Sequence, residues 1–157
     1  MSKILKYSLI AVLVIGIFLV VAYYRGLRMS ESEKNEALSR AKSVNFEIVK
    51  EETNNSSAMF FIYYPTENPT EQNMKDLAAY IIYEKAQELD YVSVSVCDDR
   101  TSAVAMANPS DESLSDEELR ERFKSALEHQ IIIWDTLDYK IIAGKNYKYL
   151  DGLDVRL

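Results

Sequence analysis

Residues 58–97 read AMFFIYYPTENPTEQNMKDLAAYIIYEKAQELDYVSVSVC, and their reading decides the fold. AMFFIYY (58–64) is a short, nearly continuous apolar run, as expected of a central strand covered on both faces. Pro65 ends it. Asn68-Pro69-Thr70-Glu71 has the form of a helix start, with Asn68 as cap, Pro69 at the first position and Glu71 reaching back. Met74, Leu77, Ala78, Ile81 and Ile82 then follow the i, i+3, i+4, i+7, i+8 spacing of one buried face, with Lys75, Asp76, Glu84 and Lys85 mostly off it. The helix is expected to run to about Leu89. In YVSVSVC (91–97) Val92, Val94 and Val96 alternate with Ser93 and Ser95, the period-two pattern of a strand. Strand, helix and strand in this order predict two parallel strands joined by a right-handed crossover.

Upstream, VNFEIVKEE alternates Val44, Phe46 and Ile48 with Asn45 and Glu47, a half-buried strand, and TNNSS is a turn cluster. Downstream, CDDRTSAVAMA predicts a tight turn at Asp98–Arg100 and an antiparallel strand from about Thr101 to Ala107. Ser115 and Glu118 form a capping box, Leu114 can staple onto Leu119, and Leu119, Phe123 and Leu127 make the apolar stripe of a second helix. From Gln130 the chain turns β-branched and aromatic. This reads as a strand through Trp134, a turn at Asp135–Asp138, and a closing hairpin in which Tyr139–Ile142 and Tyr147–Leu150 flank Gly144-Lys145-Asn146. The alternative is a second helix continuing through Trp134. The expected fold class is α+β: an N-terminal transmembrane helix, then one mixed sheet with two helices packed on it, in the order β-β-α-β-β-α-β-β-β.

The transmembrane expectation rests on Tyr7 to Tyr24, which carries no formal charge. A bilayer core of roughly 30 Å needs about 20 apolar helical residues, with roughly 17 sufficient. Lys3 and Lys6 flank it on one side and Arg25 and Arg28 on the other, with Tyr7, Tyr23 and Tyr24 at interfacial positions. The rival is a cleaved signal peptide, for which Val20-Val21-Ala22 is a passable site; the length of the run and the bulky tyrosines after it favour a retained signal-anchor. Expected divisions are 1–28 transmembrane signal-anchor, 29–43 polar juxtamembrane linker and 44–157 acidic domain. A short basic N-terminus before the first apolar run places the domain outside the cytoplasm, periplasmic or at the cell surface; a plain Lys/Arg count across the run points the other way.

YYPTENPTEQNMKDLAAYII, AVAMANP and the tail IIIWDTLDYKIIAGKNYKYL together resemble small bacterial envelope-anchored, lipoprotein-like α+β domains of uncharacterised function. The resemblance is one of pattern. It implies no activity.

Chemistry is constrained by composition. All 25 Asp and Glu lie beyond residue 30, against 18 Lys and Arg in the whole chain, so the domain is strongly acidic and a poor fit to nucleic acid. One Cys and one His exclude an intrachain disulfide and a rich transition-metal site. The acids Asp111, Glu112, Asp116, Glu117 and Glu118 lack calcium-loop spacing and suit a helix N-terminus. No glycine-rich phosphate loop exists, and Gly144 reads as the hairpin turn. No cofactor or metal is expected. Cys97-Asp98-Asp99-Arg100 is the most chemical-looking stretch, with His129 the available base; the plainer reading is a core thiol and a solvated turn.

The functional expectation is therefore a membrane-tethered, non-enzymatic binding or assembly module of the cell envelope, with the membrane reached through Tyr7–Tyr24 and a protein partner in the envelope. Its tentative binding surface is aromatic: Trp134, Tyr139, Tyr147 and Tyr149. The alternatives are a small hydrolase or transferase using Cys97, Asp98 or Asp99 with His129, and a cytoplasm-facing regulator of a membrane complex.

Overall fold

Strand, helix and strand are what residues 58–97 form in the computed structural model, which describes residues 31–155. The chain divides into two compact units, 1–35 with Leu157, and Glu36–Arg156. The described part of the first is the opening of helix α1 (Glu31–Ser43); the remaining described residues belong to the second. After α1 come β1 (Glu47–Thr53), β2 (Ser57–Tyr63), α2 (Glu71–Tyr80) with a π turn at Ile81–Lys85, β3 (Tyr91–Cys97), α3 (Arg100–Ala107), α4 (Asp116–Glu128), β4 (Gln130–Asp135), β5 (Ile142–Ala143) and a 3-10 turn at Lys148–Leu150. The strands form one mixed five-stranded sheet in the order β1-β2-β3-β4-β5. Only β2 and β3 are parallel, as the crossover through α2 requires.

Two cores sandwich this sheet. On one face Phe60, Ile62, Val94, Ile132 and Trp134 meet Met74, Leu77 and Ala78 of α2 and Ile81 of the π turn, and all are buried. The void left among Met74, Leu77, Ala78, Val94, Ile132, Trp134, Ile141 and Val155 measures only about 10 Å³. On the other face Phe61 and Cys97 lie under Ala103, Met106 and Ala107 of α3 and Ala126 of α4, with Val49 and Tyr63 against them. Alternation along β2 sends Phe60 and Ile62 one way and Phe61 the other, which is why its apolar run is continuous. On α1, Ala37, Leu38 and Ala41 are buried, and Arg40 grips the buried Asp76 with two 2.9 Å hydrogen bonds. Asp76, expected off the buried face, is 2% exposed and also accepts from Gln72 at 2.9 Å.

Several expectations are corrected. Thr101–Ala107 is not a strand but part of helix α3. Asp99, in an extended conformation, accepts from the Ser102 amide at 2.7 Å and starts the helix, and the alanine-rich run after it has high helix propensity. Its small side chains let α3 lie close on the sheet. The helix after Pro69 is capped by Thr70, not Asn68, with Asn73 rather than Glu71 as the reciprocal partner. Its α-helical part ends at Tyr80, short of Leu89, where the π turn inserts. The closing hairpin is absent: β5 is two residues long, and Lys148–Leu150 form a 3-10 turn. The Asp151 carboxylate takes the Ala143 N–H at 3.0 Å, so the returning chain does not ladder there. Among the described residues the order is thus α-β-β-α-β-α-α-β-β, with four α-helices where two were expected. The capping box at Ser115 and Glu118, and the strand rather than helix at Gln130–Trp134, are as expected.

The transmembrane helix and signal-anchor are likewise not supported. Among the described residues no helix is long and apolar enough to cross a membrane, and Tyr7–Tyr24 lies outside the described residues. The described helices alternate charge with short apolar faces, and none sustains the apolar length a bilayer demands.

Candidate functional site

The chemistry-bearing residues converge just past the end of β3. Cys97 is the last residue of that strand and faces the α3 side of the sheet, 1% exposed. Burial first, then the neighbouring Asp98 and Asp99, push its thiol up to about 12, so it is no nucleophile at neutral pH. Asp98 follows, its N–H donating to the His129 carbonyl at 3.0 Å. His129 is the C-cap of α4, so the capping box that starts this helix also sets where the histidine arrives. The Asp98 carboxylate lies 2.8 Å from His129 Nδ1 through Oδ1 and accepts the Tyr147 hydroxyl through Oδ2. A carboxylate only accepts, so a neutral His129 carries its proton on Nδ1 and presents Nε2 as an acceptor.

Tyr147 is carried there by Gly144. This glycine does not turn a hairpin. Its role is close approach: a Cβ would stand 1.7 Å from the Gln130 carbonyl oxygen. Tyr147 is buried, and burial followed by the bond to Asp98 raises its phenol above the ordinary range. Asn146 adds a side-chain bond to the Glu128 carbonyl at 3.1 Å. Asp99 is spent on capping α3. Burial pulls its carboxyl upward, but the Ser102 hydrogen bonds, with His129 nearby, hold it below the usual range. The result is a polar knot tying β3, the α4–β4 junction and the C-terminal segment.

The four tyrosine and tryptophan candidates form two pairs. Trp134 and Tyr139 meet edge to face at 6.4 Å, and Tyr147 and Tyr149 tilt together at 6.4 Å. Trp134 and Tyr147 are buried, Tyr139 is half-buried in the left-handed conformation, and Tyr149 is 64% exposed with its hydroxyl on the Pro69 carbonyl at 2.8 Å. Trp134 Nε1 is buried without a hydrogen-bond acceptor among the described residues.

The exposed apolar surface lies elsewhere. α3 lies over β1, β2 and β3 at the end where Phe61 and Cys97 are buried. Beyond it the same face stays open. Register places Phe61, Ser95, Ile133 and Ile142 in one row across β2 to β5, and Met59, Ser93 and Asp135 in the next. Met59 is 39% and Ile142 62% exposed, with Ser93, Ser95 and Ile133 half-buried. Phe123 and Leu127 of α4 are also exposed, since only Ala126 of that helix is buried. Sequence reading singled out Phe123 and Leu127 only as the apolar stripe of this helix, where they are instead exposed, and did not single out Met59, Ile133 or Ile142. The missed signal was Asp99 as a helix cap, because the helix it starts covers only part of the sheet. The outer edge is not open to pairing in the same way: β1 carries Lys50, Glu51 and Glu52 and a bulge between Ile48 and Lys50.

Among the described residues no group of three or more His, Cys, Asp or Glu is arranged to hold a metal ion. Compared with protein-family models, curated proteins and solved structures, the chain matches none.

Proposed function

We propose that this domain is a non-enzymatic binding or assembly module for a protein partner, engaged through the uncovered half of the sheet face. The observation that supports the reading is the exposure of Met59 on β2 and Ile142 on β5, with half-buried Ile133 between them, on a face whose other half lies under α3. Large apolar side chains left exposed on one face of a folded domain are a feature of interaction sites. A photo-crosslinking residue at Ile142, in cells of the source, tests it. The expected result is a discrete protein adduct that disappears with Met59→Asp and does not form from the turn residue Leu137, which is more exposed. Equal adducts from both positions would remove the reading.

Acid–base chemistry is the second reading, favoured by the 2.8 Å contact between His129 and Asp98. Cys97 takes no part in it, so water is the nucleophile and Nε2 of His129 the base. Hydrolysis of 4-nitrophenyl acetate, compared with His129→Gln, checks it: a well-placed general base contributes about 10²-fold or more, and an unchanged rate removes it.

A further inference from the structure

We infer that residues 36–43 of α1 form a latched strap, which lifts off while the sheet and α2 stay folded, and that Arg40 gripping Asp76 is the latch. These residues belong to the same compact unit as the sheet. Arg40 stands on α1 and Asp76 in the middle of α2. All three guanidinium nitrogens are engaged. Nε donates to Asp76 Oδ2 and Nη2 to Asp76 Oδ1, both at 2.9 Å, and Nη1 donates to Glu36 Oε1 at 2.8 Å. This is the two-pronged geometry that arginine makes with a carboxylate and lysine cannot. Asp76 takes one further bond, from Gln72 at 2.9 Å. The two ends of the pair differ in exposure: the Asp76 side chain is 3% exposed and that of Arg40 40%.

The apolar contribution to docking is small. The buried residues of α1 are Ala37, Leu38 and Ala41, so Leu38 is the one large side chain among them. The described helix is 13 residues long, and isolated helices below about 12–15 residues are marginal in water, so its order comes from docking. Lys42 adds a pair with Glu84 at 3.3 Å, but both side chains are more than a third exposed, and such a pair contributes little. The Arg40 fork is therefore the deciding contact.

The same pair lets the strap leave without unfolding the core. A carboxylate enclosed without a counter-charge is costly, so Asp76 stays enclosed only while Arg40 is on it. When the strap lifts, water replaces the guanidinium on Asp76 and solvates Arg40, and neither charge is stranded. The side chains that join α2 to the sheet, Met74, Leu77 and Ala78, take no part in the separation. Local openings of this kind lie below global unfolding in free energy. A partner that offers Asp76 another cation shifts the same equilibrium.

Hydrogen–deuterium exchange of the full chain, read by mass spectrometry on peptides covering 36–43, β2 and β3, tests this. In the wild type the strap amides should exchange about tenfold or more faster than those of β2 and β3. Arg40→Lys keeps the charge and loses the fork, and should speed the strap severalfold further while β2 and β3 stay within about twofold. Lys42→Ala is the control and should leave the strap within about twofold of wild type. A wild-type strap as slow as β2 and β3 would overturn the inference. So would an Arg40→Lys protein that fails to fold, or in which β2 and β3 speed up in step with the strap, because unlatching would then be unfolding. A strap unmoved by Arg40→Lys, or moved equally by Lys42→Ala, would show that Arg40 is not the latch.

Discussion

Gly144→Ala is the sharpest probe of how the C-terminal segment is held. The added Cβ would stand 1.7 Å from the Gln130 oxygen, 2.8 Å from its carbonyl carbon and 3.4 Å from the Ile131 oxygen. All three are backbone atoms of β4, so no rotamer change relieves the clash. The two segments must part by well over an ångström. That breaks the bond from the Gly144 N–H to the Ile131 carbonyl, now 2.8 Å, and draws Tyr147 off Asp98. Overpacking costs about 1–3 kcal/mol and a lost hydrogen bond about 1 kcal/mol more, so destabilisation of about 3 kcal/mol is expected. For a domain of this size that lowers Tm by roughly 10 °C. Gly152→Ala is the control. Gly152 has φ +75° and open space around the missing Cβ, so its cost is only the left-handed backbone, about 1 kcal/mol. Thermal unfolding followed by circular dichroism compares them. Gly152→Asn should recover part of the loss, because Asn tolerates this conformation, whereas Gly144→Asn should be no better than Gly144→Ala. A Gly144→Ala protein as stable as Gly152→Ala would refute close approach as the reason for this glycine.

Other outcomes follow from the same geometry. Trp134→Phe should cost less than about 1 kcal/mol in denaturant unfolding, because losing ring area is offset by removing a buried indole N–H without an acceptor; a loss above about 3 kcal/mol would mean that N–H is bonded after all. Asp99 has a lowered carboxyl in the fold, so its contribution is present above its unfolded value, about pH 4, and is lost as pH falls below it. Asp99→Asn keeps a cap acceptor without that titration, so acid unfolding should show a shallower stability loss than wild type; identical slopes would contradict the assignment. Cys97, raised to about 12 and buried, should stay unreactive toward Ellman's reagent at pH 8 until the protein unfolds; rapid native labelling would show the thiol accessible.

Much of this domain was determined by local pattern alone. The unit from β2 through α2 to β3 was legible because period-two and helical spacings persist there and the crossover leaves one pairing. The start of α4 and the turn after Trp134 were legible for the same reason: their side chains bond within a few residues of themselves. What failed depended on partners distant in sequence. Ala103 to Ala107 alternate as readily for a strand as for a helix, and only the Asp99 cap and the sheet beneath decide between them. Asp76 reads as a surface acid until Arg40, 36 residues away, neutralises it in the interior. Gly144 reads as a turn until Gln130 is found against it. Asp98, His129 and Tyr147 meet only because a strand end, a helix end and a close-approach glycine arrive at one place. The exposure of Met59 and Ile142 was equally invisible, since exposure is set by how much of a sheet face its helices cover, and no single segment carries that information.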